Sequence, residues 1–245
     1  MNPSSNSPAA ATAAGQRANP NVEPVLVWDA PLRVFHWMMA ATFIGAYLTA
    51  EDESWRTVHV TLGYTMAGLV AFRLVWGLVG SRWARFSSFV RGPAGVARYV
   101  RSILERTPEH HTGHNPAGAL AIMALLALTI VVTATGWMTY NDTMGKWLEE
   151  SHEVLANLML VVVGVHVVGV IAGSWLHREN LAKAMVTGYK SGAPDDGIRH
   201  PRRGIAALVA AAVLAYWGLQ WQGAASGAAS SPATSHTDKD HDGDD

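Results

Sequence analysis

Four histidines have the types and spacing to hold metal. Two lie in one stretch, residues 151–180, SHEVLANLMLVVVGVHVVGVIAGSWLHREN, which is apolar over 154–176 apart from Asn157, His166 and Ser174. His166 follows His152 by fourteen residues. At about 100° per residue fourteen helical steps return to within roughly 40° of the same face, and at about 1.5 Å per residue they advance roughly 21 Å. Two imidazoles on one face at two depths suit two stacked metal centres, one near each membrane surface. His36 and His59 stand near the starts of two other apolar runs and are the available partners. Arg73 follows His59 by the same fourteen residues, and Gly63 lies one turn beyond His59, where the missing side chain lets a flat macrocycle approach.

The elements that must position these residues are five apolar runs. They cover about 34–50, 58–80, 114–139, 154–176 and 204–221. The first is at the lower limit for a spanning helix; the others are long enough to cross a bilayer. The third opens on His114-Asn115-Pro116, where asparagine caps and proline suits the first helical position. Charge is segregated into short connections between the runs, which marks an integral membrane protein, and the formal net charge of −1 conceals it. The absence of cysteine excludes disulfides, thiolate-held iron–sulfur clusters and covalent CxxCH haem attachment.

The connection over 81–116 carries six arginines, and 93–105 has helical apolar spacing suited to an interfacial helix. The connection over 177–203 adds Arg178, Lys183, Lys190, Arg199, Arg202 and Arg203. Placing these segments in the cytoplasm leaves only Arg56, Lys146 and Lys239 outside, so the distribution predicts five spans with the N-terminus in and the C-terminus out. The second and fourth helices then both run inward, and His59 and His152 share the outer depth. His36, on a helix running outward, belongs to the inner half with His166. The expected pairs are His59 with His152 and His36 with His166. Arg73 falls one layer below His59, beside the inner pair. A buried arginine in a membrane needs a partner, and haem propionates are carboxylates that a guanidinium pairs bidentately.

Quoted in order, FHWMM at His36, TVHVTLGYT with RLVWG at His59 and Arg73, and SHEVLANLMLVVVGVHVVGV at His152 and His166 resemble the bacterial cytochrome b561 and nickel–iron hydrogenase cytochrome b subunits. GHNPAGA and LHRENLAKAMVTGYK look like the hydrogenase-type branch. The resemblance covers residues 25–190. It implies an all-α membrane protein whose four-helix core holds two haem b groups, each ligated by two histidines. It also implies electron exchange with a membrane quinone, ubiquinone or menaquinone. The redox partner would be a hydrogenase or a soluble c-type cytochrome, and the setting the bacterial inner membrane. No nucleic-acid partner is expected. Outside the core fall a tail at 1–24, a basic linker at 191–203, a fifth transmembrane helix at 204–222 and an acidic tail at 223–245, both tails expected to be disordered.

A single helical histidine is more often structural than a ligand, and the weight here comes from four at matched depths. His110, His111 and His114 sit in a polar connection and read as solvated or capping groups; His236 and His241 belong to the acidic tail. The competing class is a transporter or channel moving protons or divalent metal through membrane histidines. It would favour acidic companions inside the spans, and the sequence offers only Glu153 at an end.

Overall fold

The computed structural model describes residues 23–89, 101, 113, 116–141 and 145–230, with side chains of the last run to residue 223. The interfacial helix expected at 93–105, apart from Arg101, lies outside the described residues, as do His110, His111, His114, His236 and His241.

The bundle begins at Asp29. Its Oδ1 accepts the Leu32 amide at 2.9 Å and Pro31 occupies the first turn, so α1 (Ala30–Leu48) starts four residues ahead of the apolar run. A turn at Glu53–Trp55, with Asp52 accepting from Ser54, leads into α2 (Arg56–Val79). Two hydrogen bonds fix how these helices lie. The Ala46 carbonyl meets His59 Nδ1 at 2.8 Å, and Asp29 Oδ2 accepts from Trp76 Nε1 at 3.0 Å. The contact points are seventeen residues apart on each helix, so the two run antiparallel in one register over their whole length.

Next come α3 (Pro116–Tyr140) and α4 (Lys146–Leu176), packed against each other, with α3 also against α2. Gly145, at φ 75°, makes the turn into α4, five residues ahead of the segment expected to open at 151. The last helix, α6 (Arg203–Ser230), packs chiefly on α1 and reaches α2 through Trp217 Nε1, which donates to Thr65 Oγ1 at 2.9 Å.

At the end of the bundle where α1 begins, the basic connection is a folded cap. Asn180 caps α5 (Leu181–Thr187), Gly188 at φ 91° stops it, and β2 (Tyr189–Gly192) pairs antiparallel with β1 (Glu23–Leu26). The Gly188 carbonyl accepts from the Val27 and Trp28 amides, and Pro201 accepts from Ala30. Trp83 Nε1 donates to the Asp196 carbonyl at 2.8 Å. Val25, Val27, Trp28, Leu32, Phe35, Leu69 and Ala184 are buried together beneath the sheet.

Several sequence expectations change here. Glu23 and Pro24 belong to a strand rather than to a tail, residues 191–203 are part of the cap rather than a plain linker, and α6 continues to Ser230 instead of ending near 222. The bundle carries a two-stranded sheet as well as helices. Among the described residues four helices, α2, α3, α4 and α6, are long and apolar enough to cross a membrane, and no fifth such span is identified. The nineteen residues of α1 fall short because Arg33 and His36 occupy its first two turns, leaving too little uninterrupted apolar length.

Lys190 is buried in the cap with its Nζ 3.6 Å from Glu179 Oε2. Burial lowers its pKa, and the Glu179 carboxylate partly offsets this. Between the lowered folded value and the ordinary one near 10.5, the unfolded chain binds a proton that the folded chain has released, so stability rises with pH across that window and is level below it. Thermal unfolding of wild type and Lys190→Met across the alkaline range checks this. The wild type should gain on the variant as pH rises, and a constant difference would contradict it.

Candidate functional site

Helices α1, α2 and α4 bring the four histidines together as two pairs at two levels. The His59 and His152 rings meet edge-on, with centroids 6.2 Å apart and planes at 85°. His36 and His166 lie within electrostatic reach of each other toward the capped end. A buried apolar layer of Phe43, Ala46, Met66, Val132 and Met159 separates the levels. Phe43 is seven residues past His36, Met66 is midway between His59 and Arg73, and Met159 is midway between His152 and His166. Seven residues are about two turns, so each helix presents the same face at every level.

The first pair is held through its Nδ1 atoms. His59 Nδ1 contacts the Ala46 carbonyl at 2.8 Å, and His152 Nδ1 the Val132 carbonyl at 3.1 Å. A carbonyl only accepts, so each Nδ1 carries the hydrogen and each Nε2 keeps its lone pair. Thr135 Oγ1 stands 3.2 Å from His152 Nδ1 while donating its own hydrogen to the Val131 and Val132 carbonyls. Gly136 makes the room: a Cβ there would fall 2.8 Å from His152 Cε1. The second pair is less constrained. His36 Nδ1 is buried with no hydrogen-bond partner among the described residues, and the ring meets Trp37 edge-on at 5.0 Å.

Arg73 is 2% exposed. Its guanidinium lies 4.7 Å over the Phe86 ring and is electrostatically coupled to Asp29, a fully buried carboxylate. A desolvated cation–π contact supplies about 2 kcal/mol, against roughly 2.5–3.5 kcal/mol for arginine at mid-membrane. Phe86 alone therefore does not offset the burial, and the Asp29 carboxylate adds to its contribution. Nη1 is buried without a hydrogen-bond partner among the described residues. Gly77 is what seats Phe86, since a Cβ at Gly77 would collide with that ring. At Gly63 an added Cβ meets nothing within 4 Å, so the α2 backbone is open beside His59.

Each site residue expected from the sequence is thus found facing the bundle or beside it. The structure brings His59 beside His152 and His36 within electrostatic reach of His166. Sequence reasoning missed Gly136, Gly77, Thr135, Phe86 and Asp29. Only Asp29 carried a readable signal, the Asp-Ala-Pro helix start.

The sequence profile of the prokaryotic cytochrome b561 family matches residues 27–188, a span holding all four histidines and Arg73. The chain belongs to the prokaryotic cytochrome b561 family. Membership implies haem b binding and a multi-pass membrane electron carrier. Among similar proteins is a probable Ni/Fe-hydrogenase B-type cytochrome subunit of Azotobacter vinelandii, 27% identical over 224 residues, covering 73% of this chain and 93% of the relative. Another, from Rhodobacter capsulatus, is 24% identical over 215 residues, covering 68% and 81%. The probable Ni/Fe-hydrogenase 1 B-type cytochrome subunit of Escherichia coli K12 is 24% identical over 153 residues, covering 52% and 65%. No solved structure matches.

Gly136→Ala tests whether the space around His152 matters to cofactor binding. Outer-shell changes of this kind weaken binding about 10–100-fold. The variant should bind haem that much more weakly than the wild type, measured by haem titration of the apoprotein. Gly63→Ala, whose Cβ meets no protein atom, separates contact with bound macrocycle from repacking of the helices.

Proposed function

We propose that this cytochrome b561-family protein carries electrons between a membrane quinone, ubiquinone or menaquinone, and a redox partner protein, using two haem b groups. His59 and His152 ligate one iron, and His36 and His166 ligate the other. The carrying observation is the His59–His152 pair, opposed at 6.2 Å with both Nδ1 atoms tied to backbone carbonyls. That separation would let His59 and His152 hold one iron between them.

Haem would supply one-electron redox chemistry, with the histidines of each pair as the residues that would hold its iron. The chain does the rest. Ala46 and Val132 fix the tautomer of the first pair and keep its rings from turning. Phe43, Met66 and Met159 exclude water between the levels. Arg73, with Nη1 buried and without a hydrogen-bond partner among the described residues, is suited to a propionate of the second haem, and Gly63 to the face of the first.

In this reading α1 crosses the membrane as a fifth span, because it is matched to α2 from Asp29–Trp76 to Ala46–His59. The cap lies in the cytoplasm, the C-terminus outside, and the protein in the bacterial inner membrane, as the lysine and arginine distribution favours. The similar hydrogenase cytochrome subunits favour a hydrogenase as the partner. The transporter reading gains nothing from Asp29, which is engaged by Leu32, Trp76 and Arg73.

Reduced-minus-oxidised spectra and a haem count on the purified protein test the assignment. The wild type should hold two b haems per chain, and His152→Ala and His166→Ala should each lose one. Retention of both haems in either variant refutes that ligand.

A further inference from the structure

At the end of the bundle opposite the cap, a cavity of about 570 Å³ opens between α2 and α6. Arg56, Thr57 and Tyr64 line it from α2, Tyr140 from α3, and Tyr216 and Gln220 from α6. This wall is rich in hydrogen-bond donors. Tyr64 and Tyr216 are within electrostatic reach of each other across the cavity. Arg56 stands at the mouth, 5.9 Å from the Tyr140 ring centre, and its bond to Glu53 at 3.0 Å is an exposed ion pair of little strength. Trp55, Trp137, Trp147 and Trp221 are exposed around the same end, as aromatic residues are at the head-group level of a bilayer.

We propose that this cavity is a binding site for a membrane phospholipid, with the phosphodiester at Arg56 and the glycerol ester carbonyls at the hydroxyls of Tyr64 and Tyr216. A phosphodiester and two esters are all acceptors, and the wall offers a guanidinium, three phenols and an amide. Arg56 and Tyr64 are eight residues apart, about 12 Å along the helix. Each head-group layer is about 5–8 Å thick, so the site descends from phosphate depth past ester depth. A quinone head, uncharged and with two acceptors, would leave Arg56 unused. The site also has a structural reason to exist. At this end α6 touches α2 mainly through Trp217 and Thr65, and a lipid wedged between them adds a second bridge. The proposal requires that the helices cross a membrane and does not depend on which histidines hold metal.

The test uses the full-length haem-loaded protein in dodecyl maltoside, with thermal unfolding followed as dioctanoyl-phosphatidylglycerol is added. A ligand that binds only the folded state raises Tm by mass action. Phosphatidylglycerol should raise Tm, with dioctanoylglycerol and inorganic phosphate ineffective at the same concentrations. Arg56→Gln should weaken the apparent affinity at least tenfold. So should Tyr64→Phe/Tyr216→Phe, which keeps both rings and guards against a folding defect at Arg56. Equal affinity in wild type and both variants overturns the site. Equal stabilisation by dioctanoylglycerol or decylubiquinone overturns the phosphodiester in favour of an apolar or quinone ligand, and an equal effect of inorganic phosphate reduces the site to an anion contact.

Discussion

An imidazole presents one nitrogen reliably only when the other is held by something that does not move. At His59 and His152 that hold comes from the main chain of the neighbouring helix, Ala46 for one and Val132 for the other. A backbone carbonyl inside a helix has no rotamer to change, so both the tautomer and the ring plane follow from how the helices are packed. Tilt or slide one helix and the imidazole turns with it. The register of α1 on α2, and of α3 on α4, is therefore also the geometry of the site. The long antiparallel contacts of the bundle, with Asp29–Trp76 at one end and Tyr47–Asn157 near the other, keep that register.

The second constraint is the repeat of seven. On α2 and α4 a chemically active residue, a methionine and another active residue follow at intervals of seven, and α1 supplies His36 and Phe43 in the same rhythm. Two turns of helix bring each position back to one face with a small drift. Stacking two reactive levels about 21 Å apart and filling the middle with Phe43, Met66 and Met159 are thus one geometric solution. The middle layer is a cluster of buried apolar side chains, while the levels on either side carry the histidines and Arg73.

Much of this was legible because it is local. Helix periodicity, the fourteen-residue intervals and the segregation of charge all live within one or two segments, and they are what put the four histidines and Arg73 forward as site residues. The family match across residues 27–188 agrees with the resemblance seen in those motifs. What escaped depends on chain partners far apart. Nothing in the composition of EPVL or YKSG says that they pair, and Lys190 reads as one more exposed cation until the sheet buries it. The carboxylate electrostatically coupled to Arg73, Asp29, sits outside the apolar runs, so the pattern of the spans does not point to it. Gly136 and Gly77 have roles set only by the ring that lands on each. The apolar run of α1 stands at the lower limit for a span in the sequence, and the helix is also less apolar than the four long ones in the structure.

The strand pairing has a consequence for the order in which the molecule is made. Leu26 and Tyr189 are partners, Glu23 and Gly192 are partners, and the Ala30 amide is bonded to the Pro201 carbonyl. The head of the first helix thus waits for chain synthesised more than 160 residues later. Emerging N-terminal first at about 5–20 residues per second, the nascent protein passes several seconds or more with its opening strand unpaired and four helices already delivered. Closure of the sheet is a late latch, and only a ribosome that has travelled past Pro201 releases a chain able to fasten it.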